Sequence, residues 1–257
     1  MINNKKTNSR RIFLRNAALL GVSAIALPKR ANAFQGVNIF DESMPKRILF
    51  QGDSITDGGR GRNLDWNHVM GHGYQYIIAS KLWFDFPKKQ LMFFNRGISG
   101  NRVPDLLQRW ENDTISLKPE VLSILIGIND TTAQVNGNPA FTEQSFETDY
   151  RKLLELTKNA LPGIKLIMCE PFILPVGKVK DKWEAYYSGI STRQKIVKSL
   201  AEEFNAIFVP FQQTFNDALK RAPAEYWIWD GIHPMPAGHQ LMAMQWMKIV
   251  HKNDSDI

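Results

Sequence analysis

Arg47-Ile48-Leu49-Phe50-Gln51-Gly52-Asp53-Ser54-Ile55-Thr56 is a short apolar run that stops at a glycine and passes into small polar residues. Apolar side chains at successive positions, rather than alternate ones, mark a strand buried on both faces, as in a parallel sheet. Four further runs of this kind follow, at 91–95, 121–126, 164–169 and 206–209, the last ending at Pro210. Between them lie amphipathic stretches at 73–82, 104–111, 146–160 and 190–204, and a further one at 236–250 closes the pattern. Strands alternating with helices predict an α/β chain: a three-layer α/β/α sandwich around a five-stranded parallel sheet with right-handed crossovers. No Ser- or Pro-rich linker divides residues 34–257, so they are expected to form one domain.

In open sheets of this type ligands bind beyond the carboxyl ends of the strands. Asp53-Ser54 follows the first run, Ser99-Gly100-Asn101 the second, and Gly127-Ile128-Asn129-Asp130 the third. Three separate loops thus deliver small polar groups to one rim. Ser54 sits where a strand passes into a loop or helix, a place that can expose a hydroxyl to the free N–H groups of a helix start. Taken alone, a Ser beside a Gly is as much a turn or cap as a nucleophile. It also lacks the second glycine of the G-x-S-x-G elbow, so an α/β-hydrolase does not fit.

Near the other end, Trp229-Asp230-Gly231-Ile232-His233-Pro234 sets a carboxylate three residues before an imidazole. In a tight turn that spacing lets Asp230 reach Nδ1 of His233 and leaves Nε2 free to face Ser54. The competing reading is a surface turn in which Asp230 caps the helix entered at Pro236.

Four ordered blocks, Gly-Asp-Ser-Ile at 52–55, Asn-x-Gly-x-Ser-Gly-Asn at 95–101, Gly-x-Asn-Asp at 127–130 and Asp-x-x-His at 230–233, resemble those of the SGNH/GDSL hydrolases. The resemblance spans nearly the whole chain after the leader. It departs only at Ile55-Thr56, where the name-giving block has Leu. It implies a flavodoxin-like SGNH hydrolase fold and a serine esterase that works through an acyl-enzyme without a cofactor. Ser54 is then the nucleophile, His233 the general base and later the acid, and Asp230 the residue that orients His233. The implied oxyanion hole comprises the Ser54 and Gly100 backbone N–H groups and the Asn129 side-chain amide. Asp53, Gly97 and Asp130 are expected to hold loops.

Charge bears on partners. The formal net charge is +7, but residues 1–33 hold Lys5, Lys6, Arg10, Arg11, Arg15, Lys29 and Arg30 and no Asp or Glu. Setting those seven aside leaves 25 basic and 25 acidic residues, so the expected domain is neutral and lacks the phosphate-neutralising surface of a nucleic-acid binder. The leader itself reads as an export signal: Arg10-Arg11-Ile12-Phe13-Leu14, an apolar run of 11 residues at 17–27, and Ala31-Asn32-Ala33 as an A-x-A cleavage site. The paired arginines resemble a twin-arginine signal. The run is about half the roughly 20 residues a spanning helix needs, so no permanent membrane anchor is expected and the mature chain is placed in the periplasm or outside the cell.

The remaining chemistry-bearing residues read as structural. The lone Cys169 lies in an apolar run and is expected as a buried small hydrophobe. His68 and His72 have a helical ligand spacing, but no Glu follows His68 and glycines surround His72, so no metal site is expected. His239 reads as structural. Gly58-Gly59-Arg60-Gly61-Arg62 lacks the Gly-Lys-Ser/Thr ending of a phosphate loop and is expected to be a mobile loop beside Ser54.

The acyl and alcohol groups are not written in these motifs. Trp183, Tyr186 and Tyr187, among lysines in the stretch 172–189 that follows the fourth strand, suit a sugar face, and Tyr226, Trp227 and Trp229 could extend it; all of them could equally pack the rim. A small-molecule or glycan ester is the expected substrate, with O-deacetylation of a carbohydrate preferred. A broad short-chain carboxylesterase or lysophospholipase is the second reading. A non-catalytic glycan-binding protein is the third.

Overall fold

Five parallel strands form the sheet, in the order β2-β1-β3-β4-β5. They are β1 (Arg47–Gly52), β2 (Met92–Asn95), β3 (Val121–Leu125), β4 (Lys165–Cys169) and β5 (Ile207–Val209). The computed structural model describes residues 47–63, 66 and 68–250. The expected leader, 1–33, lies outside the described residues, which all fall within one compact unit.

The strand residues divide by parity, because successive side chains point to opposite faces. Ile48 and Phe50 of β1, Val121 and Leu125 of β3, and Ile167 and Cys169 of β4 enter one apolar core. It is closed by α2 (Tyr74–Asp85), α8 (Phe211–Ala218) and α10 (Pro236–Val250). Leu49, Leu122, Ile124, Leu166 and Met168 enter the other, closed by α3 (Val103–Asp113), α5 (Glu143–Ala160) and α7 (Trp183–Glu203). Both faces are covered, which is why the runs carry apolar residues at successive positions rather than alternate ones.

The five expected strands stand at the expected places to within one or two residues, and α10 occupies the expected span. Four short helices have no counterpart in the sequence reading: α1 (Ser54–Asp57), α4 (Ile128–Val135), α6 (Gly177–Lys180) and α9 (Ala224–Trp227). Helix α8 was likewise not anticipated, and α7 begins at Trp183 rather than 190. Its buried positions Tyr186, Ile190, Arg193, Val197 and Leu200 recur at intervals of four and three, so the aromatic stretch continues the helix.

Ser123 is the one polar residue at the centre of β3 and it is fully buried. Its Oγ accepts from the Trp246 indole at 3.1 Å and faces the Cys169 Sγ at 3.6 Å. Cys169 is fully buried, and burial pushes its thiol up to about 12, so it serves as packing. Trp246, also fully buried, has its ring 5.8 Å from that of Phe50 and ties α10 to the sheet. Trp246→Ala should lower the free energy of unfolding by about 3–5 kcal/mol, measured by denaturant titration, since it opens a cavity and orphans the Ser123 hydroxyl.

Candidate active site

The order β2-β1-β3 places a switch point between β1 and β3: the chain leaves β1 toward one edge and returns on its other side. In open sheets of this type ligands bind at such a point, beyond the strands' carboxyl ends. Ser54 stands at the start of α1 on one side of it, and Asn129 at the start of α4 on the other.

Asp53 caps α1, its Oδ1 accepting from the Ile55 N–H at 3.0 Å. The cap turns the chain so that the Ser54 hydroxyl points away from the core while Ile55 and Thr56 are buried. Ser54 Oγ lies 2.7 Å from His233 Nε2, and His233 Nδ1 lies 2.8 Å from Asp230 Oδ2. Asp230 Oδ1 accepts from the backbone N–H groups of Ile232 and His233 at 3.0 and 2.7 Å. These bonds bind the carboxylate into its own turn, so it does not cap the helix at Pro236. Burial pushes the Asp230 carboxyl up, but hydrogen bonds from the His233 ring, the His233 and Ile232 backbone and Lys178 outweigh it. The group is held below the usual carboxylate range.

The turn is built to fit. Ile228 pairs with Pro234 in an antiparallel bridge, Trp229 N donates to His233 O at 3.2 Å, and Leu174 N donates to Gly231 O at 3.0 Å. The Trp229 ring stacks on the imidazole with centroids 6.0 Å apart and planes at 23°. A hydroxyl bonded to an imidazole whose far nitrogen is fixed by a carboxylate can lose its proton as it attacks a carbonyl.

The loop after β2 lies against the end of β1 and α1. Gly97 packs against α1 so closely that a Cβ there would fall 2.5 Å from the Asp57 nitrogen. Gly100 has φ +86°, a conformation that glycine adopts without strain, and no atom crowds its missing Cβ. Asn129 Nδ2 donates to Asn101 O at 3.0 Å, and the neighbouring Asp130 accepts from Val103 N at 3.3 Å. Two consecutive residues of α4 thereby tie down the loop that carries Gly100. A primary amide carries two hydrogens on nitrogen, and this bond takes one of the Asn129 pair.

A buried polar layer supports these loops. Asn95 Nδ2 donates to the carbonyls of Thr56 and Met70 at 2.7 and 2.8 Å, while its Oδ1 accepts from Gly97 N at 2.9 Å. Asp57 accepts from Ser99 N and Ser99 Oγ, both at 2.9 Å, and pairs with Arg62 at 2.6 Å. Arg60 is buried and donates through Nε to Gly97 O at 2.8 Å. The expectation of a mobile loop at 58–62 is therefore corrected: its arginines hold the Gly97 carbonyl and the Asp57 carboxylate. Asp57, Asn95 and Arg60 were not singled out as functional from sequence. Asp57 had a signal, a carboxylate one helical turn after Ser54.

Burial pushes the Asp53 carboxyl up to about 7 and that of Asp130 up to about 6. Among the described residues, no three His, Cys, Asp or Glu side chains gather as a metal site would require. His239 Nδ1 accepts from the Tyr74 N–H at 3.1 Å, and its ring meets that of His72 edge-on. Of the aromatics considered for the rim, Trp227 and Tyr186 are buried in the core. Tyr187, Tyr226 and Trp229 are exposed, and Trp183 stacks on Tyr187 with centroids 5.4 Å apart.

A serine, a histidine and a carboxylate thus stand in one hydrogen-bonded line at the carboxyl end of a parallel sheet. The profile of the GDSL-like Lipase/Acylhydrolase family matches residues 50–241, and the chain belongs to that family, the SGNH/GDSL hydrolases. It is similar to an acetylxylan esterase from Geobacillus stearothermophilus, at 35% identity over 79% of this chain and 93% of the relative. An uncharacterized lipoprotein, YqeF, from Bacillus subtilis is 29% identical over 51% of this chain and 59% of its own. A crystal structure assigned as a GDSL-like lipase, from Parabacteroides merdae, superposes with TM-score 0.76 and 44% identity, covering 79% of this chain and 94% of that one. The crystal structure of the Geobacillus esterase superposes with TM-score 0.71 and 34% identity, over 80% and 94% of the two chains. Structures of its catalytic mutants, with a serine, an aspartate or a histidine replaced by alanine, also match. This chain is a carboxylic ester hydrolase.

Burial holds the His239 imidazole down at about 4, with the His72 and His233 charges adding to the effect. Above the ordinary histidine value of about 6.5, folded and unfolded chains both carry it neutral and nothing is lost. As the pH falls from there toward 4, the unfolded chain takes the proton first, and stability declines by up to about 3 kcal/mol. Asp53 and Asp130, with raised values, act in the opposite sense over the same range, so the readout is a difference. His239→Asn, which keeps an acceptor for the Tyr74 N–H, should lose less stability than the parent chain between neutral and acid pH in thermal melts.

Proposed function

We propose that the chain is a serine esterase that removes acetyl groups from a carbohydrate through an acyl-enzyme. The observation that carries the mechanism is the unbroken path Ser54 Oγ to His233 Nε2, and His233 Nδ1 to Asp230, at 2.7 and 2.8 Å. Ser54 attacks the ester carbonyl as His233 takes its proton. Asp230 holds the ring in the tautomer that presents Nε2 and stabilises the imidazolium that forms. The negative oxygen is received by the N–H groups of Ser54 and Gly100 and by the Asn129 amide. His233 returns the proton to the departing alcohol, and water, activated by the same ring, releases acetate.

The sugar assignment rests on the rim and on the similar acetylxylan esterase. Trp229 is 60% exposed and lies against the catalytic imidazole, where an apolar ring face can bear on a pyranose next to the scissile ester. Trp183 and Tyr187 form a second stacked surface. We also propose that residues 1–33 direct export. In support, the leader carries a basic segment, a short apolar run and an A-x-A site, and a relative is named a lipoprotein. Among the described residues no helix is long and apolar enough to cross a membrane.

Ser54→Ala should abolish turnover of p-nitrophenyl acetate without changing the circular dichroism spectrum, and Asn129→Ala should lower kcat by about 10²–10³. Unchanged turnover by Ser54→Ala would overturn the nucleophile assignment. For the substrate, acetate release from acetylated xylo-oligosaccharides should exceed hydrolysis of long-chain acyl esters. Trp229→Ala should raise KM for the oligosaccharide by about tenfold while leaving p-nitrophenyl acetate nearly unaffected. Preference for long acyl chains would favour the lysophospholipase reading instead.

A further inference from the structure

Asp230 has a cationic neighbour from outside its own turn. Lys178 Nζ lies 2.9 Å from Asp230 Oδ2, the same oxygen that faces His233 Nδ1. Lys178 belongs to α6, in the strap that follows β4, and the strap is fitted to the 230–233 turn. Leu174 N donates to Gly231 O, and Gly177 lies so near that a Cβ on it would fall 2.4 Å from the Asp230 Cα. Only a residue without a side chain lets the strap approach this closely, and the approach brings the next residue's ammonium onto the carboxylate.

We propose that Lys178 is a positioning residue for the catalytic turn: it shares the Asp230 carboxylate with His233 and keeps the imidazole a neutral base to lower pH than an Asp–His pair alone would allow. The proposal rests on the triad reading above. Its physical basis is competition for one oxygen. A carboxylate already paired with an ammonium offers less stabilisation to a developing imidazolium, and the ammonium repels that charge directly. The other ionisable groups facing the ring come from different elements. Asp53, beside Ser54, favours the imidazolium when ionised, and burial pushes its carboxyl up to about 7; His239, on α10 with His72 behind it, opposes it only when charged, and burial holds its ring down at about 4. None of these contacts Lys178, so removing its charge leaves them in place.

The side chain of Lys178 is 52% exposed, so solvent and salt screen its effect and its replacement should not unfold the chain. The test is the pH dependence of kcat/KM for p-nitrophenyl acetate, whose leaving group departs without needing a proton, so that the acid limb reports the base. With Lys178→Met the limb should move upward by about 0.5 pH unit, while Lys178→Arg should follow the parent. High salt should move the parent's limb toward that of Lys178→Met and leave the variant's own limb in place.

A limb unmoved in Lys178→Met overturns the proposal. So does an equal loss of rate at every pH, which marks mere support of the strap. Ser54→Ala, run beside these, separates the two readings. If it is inactive and the Lys178→Met limb is unmoved, only the role of Lys178 fails; if it retains turnover, the triad itself fails.

Discussion

The 2.7 Å contact between Ser54 and His233 joins residues 179 positions apart, and most of the rim exists to hold it. A hydroxyl and an imidazole meet at this distance only if the end of β1 and the turn after α9 are both fixed to within a fraction of an ångström. The first is fixed because β1 is flanked by β2 and β3 and cannot shift register without moving buried side chains to the wrong face. The second is fixed by the Ile228–Pro234 bridge, by the strap bonded to Gly231, and by α10, whose Trp246 is anchored in the core. Geometry at the site is thus paid for by packing far from it.

The polar residues beneath the site follow a related logic. Loops at a strand rim carry backbone groups that no ladder satisfies, and burying them unpaired is costly. Asn95 satisfies several at once, and Asp57 and Arg60 satisfy others, so the loop bearing Gly100 is held by hydrogen bonds as well as by apolar contact. Asp53 and Asp130 each leave Oδ2 without a hydrogen-bond partner, which agrees with burial raising both groups toward the protonated form.

Reading the chain as sequence succeeded where the signal is local and repeated. The strands carry apolar residues on both faces, and α10 spans the expected residues. The helices that were not anticipated, among them the four residues of α1 and of α6 and the eight of α4, are too short for a 3.6-residue period to show. They are set by capping and by packing against the sheet. The stretch at 183–189, which the sequence left open between surface and packing, divides: Tyr186 and Gly189 turn inward on the first two turns of α7, whereas Tyr187 is exposed. The loop at 58–62 misled through its glycines: what holds it is two arginines bonded to groups 35 or more residues away or in the preceding turn.

The sequence by itself determined the alternation of strands and helices, the burial of both sheet faces, and the placing of Asp230 within reach of His233. Three residues of chain are short enough that one turn decides whether the carboxylate meets the ring. Tertiary structure alone decided the order β2-β1-β3-β4-β5, which of the rim aromatics face solvent, and the meeting of Lys178 with Asp230. These contacts join segments whose separation along the chain carries no periodic mark. Which segments meet depends on how two cores pack against one sheet, a property of all the buried side chains together.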